Sequence, residues 1–338
     1  MVIPYRTRRM LKRLGITILI VLAVAVVVGA CWFLWLGRYV VYTRDQGAQI
    51  DFDRSSENIM GVEALPPTAS QPVTIYFNEG ENQLNVSREL TQLVGYYITK
   101  EDLEADIASI QPKLMKLEKG TPVLIDVKSI KGSFFYSSEV SEHRNPDIDT
   151  AAMDGLIDYL RKSDLYAIAR IPALRDYQYG LNNVPDGIPV AGGYLWPDNG
   201  TYWLNPDRAG TMNYLISIIS ELKSLGFDEV VLEDFSIPEN KSIVFTKDRK
   251  EVITKAAKTL VDTCATESFA VSFVGGTGFP VPQGRSRLYL ENATAAQAAA
   301  LAQESGMEDP SVYLVFLTEL RDTRFDAYSV LRPLADAE

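Results

Sequence analysis

The chain has 338 residues, of which 44 are acidic and 33 basic, and its net charge is −11. Seven basic residues and no acidic residue lie in residues 1–44, so the rest of the chain has a net charge of −18. This balance excludes nucleic acid as a partner, because binding to a phosphate backbone needs clustered Lys and Arg. A single histidine and two cysteines leave no standard zinc site, and we predict no cofactor.

Residues 14–37 form an uncharged, apolar run of 24 residues between Arg13 and Arg38. A helix of this length spans a hydrocarbon core of roughly 30 Å, and Trp32 and Trp35 lie where interfacial aromatic residues are common. The basic residues before the run predict a cytoplasmic N-terminus. We therefore predict a single-pass membrane anchor, with the bulk of the chain outside the cytoplasm.

Two cleavage alternatives compete with an uncleaved anchor. The run is longer than the apolar region of a typical signal peptide, and no Ala-x-Ala site follows it. Residues 28–31 resemble a lipoprotein signal that ends at Cys31, although the residues after Cys31 stay apolar. The sequence favours the uncleaved anchor and leaves lipidation of Cys31 open.

The remaining chain divides by composition. We predict a cytoplasmic tail at 1–13, the anchor at 14–37, a stalk at 38–72 and an extracytoplasmic domain at 73–338. Within the stalk, residues 45–72 lack sustained periodicity and end in Pro and small polar residues, which is typical of a linker. Residues 73–77 form a short β-like run before the main domain.

From residue 95 onward, apolar β-like runs alternate with amphipathic helical patterns. The predicted strands are 95–99, 123–128, 166–171, 229–234, 269–274, 287–290 and 312–317. The predicted helices lie near 102–118, 150–162, 207–225, 247–265 and 293–305. This alternation predicts a largely parallel sheet covered by helices, which is compatible with a closed β/α barrel and with an open sheet.

Charged residues stand at the ends of three consecutive predicted strands. Strand side chains alternate between faces, so Asp126 and Lys128 share one face, and Arg170 and Glu233 occupy the matching face of the next two strands. In a barrel, the C-terminal strand ends line the mouth where substrates bind. The four side chains could converge there as a site or as a structural ion-pair network, and Asp234 would point the other way.

Hydrolysis of a glycosidic bond normally uses two carboxylates that face each other across the bond. Glu233 is one candidate. The second is open, because Asp176, Asp234, Glu291 and Glu319 all lie near predicted strand ends. The sequence does not choose among them.

Aromatic and polar residues cluster in the segment after Arg170. Flat rings on the loops of a barrel mouth suit stacking against sugars, and short polar side chains suit binding of hydroxyl groups. The candidates are Asp176, Trp196, Asp198, Trp203 and Asn205. The alternative is a loop that packs its own aromatic residues over the barrel.

Other catalytic classes find little support. A Ser-His-Asp triad would have to use His143, the only histidine, and no nucleophile elbow accompanies it. Residues 275–278 form a glycine-rich turn that lacks the lysine of a phosphate-binding loop.

Five ordered segments, GYYIT, VLIDVKSIKGSFFY, LYAIARIPALRD, WLNP and LGFDEVVLEDFSIP, resemble a bacterial family of glycoside hydrolases with (β/α)8 barrels. The family's Asp-Val-Lys motif at the end of the second strand is matched by Asp126, Val127 and Lys128. Its Ala-Arg-Ile motif, followed by an aspartate, is matched at residues 169–171 and by Asp176.

The fourth family strand departs from the pattern in this chain. Glu233 stands where the family has aspartate, Asp234 where it has tyrosine and Ser236 where it has arginine. The resemblance covers residues 92–240 and fades beyond them. Since the chain ends about 20 residues after the last predicted strand, we expect a barrel shortened to about seven strands.

We therefore expect a glycosidase-like TIM-type barrel after one transmembrane helix, acting on polysaccharide outside a bacterial cell. The expected catalytic residues are Asp126, Glu233 and Asp234. The expected substrate-binding residues are Lys128, Arg170, Asp176, Trp196, Trp203 and Asn205. The alternatives are a barrel that binds glycan without cleaving it, and a structural protein of the cell envelope.

Overall fold

The computed structural model describes residues 40–43, 47–50 and 89–336. The predicted tail, the predicted anchor, residues 73–77 and most of the predicted stalk lie outside these ranges. Val40–Thr43 pairs with Gly47–Ile50 as a short antiparallel ladder. None of the helices described has the length and apolarity needed to cross a bilayer.

Eight parallel strands close into a barrel and confirm the predicted barrel fold. In chain order they are β1 Val94–Ile98, β2 Pro122–Asp126, β3 Tyr166–Pro172, β4 Glu229–Glu233, β5 Ala270–Val274, β6 Leu288–Glu291, β7 Leu314–Leu317 and β8 Ser329–Pro333. Neighbours in the barrel are neighbours in the chain, and β8 closes the circle against β1.

The expectation of about seven strands is wrong. The eighth strand has only five residues and includes Ser329, Arg332 and Pro333, so no sustained apolar run marks it in the sequence. Its backbone pairs on both sides, with Val330 opposite Phe316 of β7 and opposite Val94 of β1. Barrel closure therefore depends on pairing partners that lie far apart in the chain.

Seven helices lie in the described barrel domain. They are α1 Lys100–Leu114, α2 Thr150–Lys162, α3 Tyr177–Asn182, α4 Ala209–Ser224, α5 Arg249–Cys264, α6 Ala298–Glu304 and α7 Pro310–Tyr313. The short helices α3 and α7 were not predicted. No helix covers the connection from β5 to β6, and the connection from β7 to β8 holds only a single 3-10 turn.

Local sequence fixes where the helices begin and end. Thr99 directly follows β1 and caps α1 through a reciprocal pair of bonds with Asp102, so strand and helix are joined by one residue. Asp149 caps α2 by accepting bonds from the amides of Ala151 and Ala152. The predicted stop after α4 is confirmed at Gly226, whose φ of 94° suits glycine.

The barrel interior is layered. A middle layer of buried apolar side chains comes from Leu124, Ile168, Val231, Tyr289, Val315 and Leu331. Below it, at the N-terminal ends of the strands, the buried Glu229 carboxylate accepts bonds from Tyr166, Ser272, Tyr289 and Arg287. This network satisfies a charge that would otherwise be costly to bury, and it closes the bottom of the barrel.

Candidate active site

The upper layer of the barrel interior is charged. Asp126, Arg170, Glu233 and Glu291 each follow an inward-facing residue of the middle layer by two positions, on β2, β3, β4 and β6. Because strand side chains alternate, all four point toward the barrel axis at the C-terminal ends of the strands. The predicted convergence of Asp126, Arg170 and Glu233 is therefore found, and Glu291 joins them.

Arg170 lies at the centre of these carboxylates. Its Nε and Nη2 donate to the two oxygens of Asp126 at 2.6 and 3.0 Å. Its Nη1 donates to Oε1 of Glu291 at 2.9 Å, and its Nε lies 4.0 Å from Oε2 of Glu233. Asp126 also accepts a bond from the amide of Lys100 at 2.9 Å, at the first residue of α1. Asp126 therefore holds Arg170, and its contacts are those of a positioning residue.

Glu233 occupies an environment suited to a general acid. Burial raises its pKa from 4.5 to about 7, the Arg170 guanidinium opposes the shift, and the negative charges of Glu291, Asp234 and Asp126 add to it. A carboxyl group with a pKa of about 7 is roughly half protonated at neutral pH, so it can donate a proton to a leaving group.

Asp234 directly follows the last residue of β4, and its ion-pair partner is Arg175 rather than Arg170. Its Oδ2 lies 4.0 Å from Nη1 of Arg175, and Arg175 lies 3.7 Å from Asp198. Burial raises the pKa of Asp234, and the positive charge of Arg175 opposes the shift. Asp234 has a φ of 53°, and Asn292, which directly follows Glu291, has a φ of 58°. Asp and Asn adopt this left-handed conformation more readily than other side chains, so both strands turn directly after their glutamates.

Two open cavities meet at Glu291. One, of about 550 Å³, lies beside β1, β6 and β7 and includes Arg170, Glu291 and Glu319 in its lining. The other, of about 580 Å³, lies beside β4 and β5, and its lining includes Glu233, Asp234 and Glu291. The two candidate glutamates therefore face one shared space, with further space on the other side of Glu291.

Two predicted substrate-binding residues lie beneath the mouth and not in it. The side chains of Lys128 and Asp176 are fully buried, and Nζ of Lys128 lies 2.7 Å from Oδ2 of Asp176. The same carboxylate accepts a bond from Tyr214 of α4, and its other oxygen caps α3 at the amide of Tyr179. The expectation that Lys128 and Asp176 contact substrate is therefore corrected, because neither reaches solvent.

The predicted aromatic sugar platform is also not found in the mouth. Trp203 is 7% exposed, donates from Nε1 to Asp198 at 2.9 Å and packs beneath Arg175. Asn205 is 6% exposed and accepts a bond from the amide of Asp207 within a turn. Trp196 is half-buried against the core. None of the three lines either cavity, so this loop packs mainly on itself.

Glu291 is the site residue that sequence analysis did not single out. It was one of four open candidates for a second acid. A signal is present, however, because residues 231–234 (VLED) and 289–292 (YLEN) share an apolar residue followed by Leu-Glu-Asx. In both segments the glutamate is the last residue of a barrel strand, at the barrel mouth.

Comparison with solved structures finds several chains that are similar to this one. A hypothetical protein from Ruminiclostridium thermocellum aligns at 20% identity over 52% of this chain and 96% of its own, with a TM-score of 0.42. An alpha-galactosidase from Lactobacillus brevis aligns at 11% identity over 74% of this chain and 38% of its own, with a TM-score of 0.49. The glycoside hydrolase domain of PelA from Pseudomonas aeruginosa aligns at 11% identity over 73% and 97%, with a TM-score of 0.45.

The comparison with curated proteins found no match. Residues 95–269, just over half of the chain, match a family described as "Putative glycosyl hydrolase domain". The resemblance seen over residues 92–240 is thereby confirmed. The chain belongs to this glycosyl hydrolase family.

Proposed function

We propose that the barrel is a glycoside hydrolase that acts on polysaccharide, with Glu233 and Glu291 as its catalytic carboxylates. The observation that carries this proposal is their arrangement at the mouth. Both contact the Arg170 guanidinium and line the same cavity, and the pKa of Glu233 is raised to about 7. Two carboxylates on one guanidinium lie within about 10 Å of each other, the span over which glycosidases place their pair.

The environments of the two groups support different roles for them. The protonated Glu233 donates its proton to the glycosidic oxygen as the bond between that oxygen and the anomeric carbon breaks. Glu291 is paired with Arg170 and stabilises the positive charge that develops on the sugar. The oxygen of a water molecule ends on the anomeric carbon, and a proton from that water returns to the carboxylates.

Arg170 keeps this pair in place without taking part in bond breaking. Its two-point contact with Asp126 fixes the guanidinium plane, and the backbone amide of Lys100 fixes Asp126 in turn. Asp126, expected from sequence to be catalytic, acts here through Arg170. Asp234, also expected from sequence to be catalytic, lines the same cavity as Glu233 and therefore lies near the reacting groups.

The space around the carboxylate pair supports a polymeric substrate. Cavities of about 550 and 580 Å³ flank Glu291, and both open to solvent. Sugar units on both sides of the scissile bond can therefore be held. The predicted anchor at residues 14–37 leads us to propose that the substrate lies outside the cytoplasm, in the cell envelope or the surroundings.

The test uses the purified full-length chain in detergent, incubated with bacterial envelope and plant polysaccharides. We expect release of reducing ends, and we expect Glu233→Gln and Glu291→Gln each to lower the rate about 10²- to 10⁴-fold. Glu308→Gln removes the same charge from an exposed site before α7, at the opposite end of the barrel, and serves as the control.

Binding of the same polysaccharides is measured in parallel. Binding without release by the unmodified protein would show a glycan-binding barrel and reject the hydrolase. Release that survives both glutamine variants would reject the assigned residues.

A further inference from the structure

The cavity beside Glu319 has an unbalanced negative charge. Its lining includes two acidic side chains, Glu291 and Glu319, and among the described residues Arg170 is the only basic side chain that lines it. Glu319 is exposed at the end of β7 and makes no ion pair or hydrogen bond with the described part of the chain. A carboxylate therefore faces the cavity without a cation of its own.

Arg170 does not neutralise Glu319. Three of its N–H groups are directed to other carboxylates, two to Asp126 and one to Glu291. With Asp126 included, this side of the mouth has three carboxylates, those of Asp126, Glu291 and Glu319, and one guanidinium. The local net charge is therefore about −2 before Glu233 is counted.

The negative charge of this cavity favours cationic sugars over neutral and anionic ones. A bound sugar displaces water from the Glu319 and Glu291 carboxylates, and neutral hydroxyl groups replace only the lost hydrogen bonds. An ammonium group adds Coulomb attraction to those bonds, and a sugar carboxylate or phosphate would be repelled. Charge complementarity of this kind acts mainly on specificity.

We propose that this cavity receives a sugar unit with a protonated amine, so that the substrate is a polysaccharide containing deacetylated amino sugars. This inference rests on the proposed function and adds a substrate class to it. Glu319 is the specificity residue, and Glu291 contributes its charge from the neighbouring strand β6.

The experiment measures binding to the full-length Glu233→Gln protein by calorimetry, so that turnover does not interfere. The probes are tetrasaccharides of chitosan, chitin and cellulose, which differ only in ammonium, acetamido or hydroxyl at C2. Galactosamine, N-acetylgalactosamine and galactose repeat the comparison in another stereochemical series. We expect the ammonium member to bind roughly fivefold more tightly than its partners, with a preference that salt weakens.

A second substitution tests whether the preference for the ammonium sugar depends on Glu319. Adding Glu319→Gln is expected to lower affinity for the ammonium sugar roughly two- to fivefold and to leave affinity for the hydroxyl sugar unchanged. Adding Glu308→Gln is expected to change neither. Equal or tighter binding of the acetylated probes, an unchanged preference in Glu319→Gln, or no binding of any probe would overturn the inference.

The experiments distinguish failure of the amino-sugar inference from failure of the proposed hydrolase function. Binding that favours the amine, without cleavage of any polymer by the unmodified protein, rejects the hydrolase and retains this cavity as a receptor for amino sugars. Cleavage of neutral or acetylated polymers alone retains the hydrolase and rejects the amine.

Discussion

At the scale of single residues, the site depends on how one guanidinium organises three carboxylates. Arg170 pairs with Asp126 and Glu291 at hydrogen-bond distance but lies 4.0 Å from Glu233. Glu233 consequently receives weaker compensation for its burial, and its pKa rises. Residue types alone would not identify Glu233 as the acid, because its raised pKa depends on its burial and on its distance from Arg170.

The raised pKa of Glu233 predicts a coupled effect on activity and stability. Between pH 4.5 and about 7, the folded protein holds a proton on Glu233 that the unfolded chain releases. The free energy of unfolding therefore falls as pH rises through this window, and activity falls above about pH 7 as the acid deprotonates. We expect Glu233→Gln to stabilise the fold at pH 8 by about 1–2 kcal/mol, discounted for solvent contact, and to have little effect at pH 4.5.

Thermal unfolding of the unmodified protein and of Glu233→Gln at pH 4.5 and pH 8 measures the stability difference. A pH–rate profile of the unmodified protein measures the loss of activity above about pH 7. Equal stability differences at pH 4.5 and pH 8 would contradict the assignment of the raised pKa.

At the scale of elements, a buried ion pair beneath the barrel mouth joins several of the elements that carry the site. Lys128, just beyond β2, and Asp176, the N-cap of α3, form a buried ion pair that Tyr214 of α4 completes. One carboxylate thus ties a strand end, a short helix and a long helix together. Above this junction, the segment from residue 173 to residue 208 carries Arg175, which contacts Asp198 and Asp234.

Removal of one partner of this pair is expected to destabilise the barrel. Lys128→Met leaves the Asp176 carboxylate buried without its cation, which costs about 3–5 kcal/mol in proteins. Lys119→Met is the matched control, because Lys119 and Asp164 form an exposed ion pair of similar length whose loss should change stability little.

Chemical denaturation of the two variants compares the pairs directly. A loss of stability in Lys128→Met no greater than in Lys119→Met would show that the buried pair is not a structural support.

At the scale of the whole molecule, closure of the barrel brings the site together. Glu291 on β6 reaches Arg170 on β3 only because eight strands form a circle, which places residues 121 positions apart on one axis. The family match ends at residue 269, before β5, so the second half of the barrel contributes Glu291 and Glu319 from outside the matched region.

We propose that the predicted anchor at residues 14–37 holds this barrel at a membrane. Residues 14–37 are uncharged and follow a basic tail, so we expect the full-length protein to remain in the membrane fraction after an alkaline wash. A variant lacking residues 1–37 is expected in the soluble fraction. Protease added outside intact cells should remove the barrel domain. Recovery of the full-length protein in the soluble fraction, or protection of the barrel from protease, would contradict the predicted topology.

Sequence patterns predicted much of the fold because they are local. The alternation of apolar runs and helical periods identified seven of the eight strands, and alternation within strands brought Asp126, Arg170 and Glu233 to one face. Strand β8 was not predicted because pairing on both sides stabilises it, and its own five residues carry no periodic signal. The same limit applies to α3, which is six residues long and depends on the Asp176 cap.

Site roles required the tertiary structure because they depend on burial and on distant partners. Lys128 and Asp176 match a family motif, yet their side chains are buried against each other, and Trp203 and Asn205 stabilise their own loop. Glu291 was one acid among several until barrel closure placed it on Arg170. The sequence by itself determined the family, the alternation of strands and helices, and Glu233 as a candidate, because those signals lie within short segments. Only the tertiary structure decided which second carboxylate faces it, because that depends on contacts between strands distant in the chain.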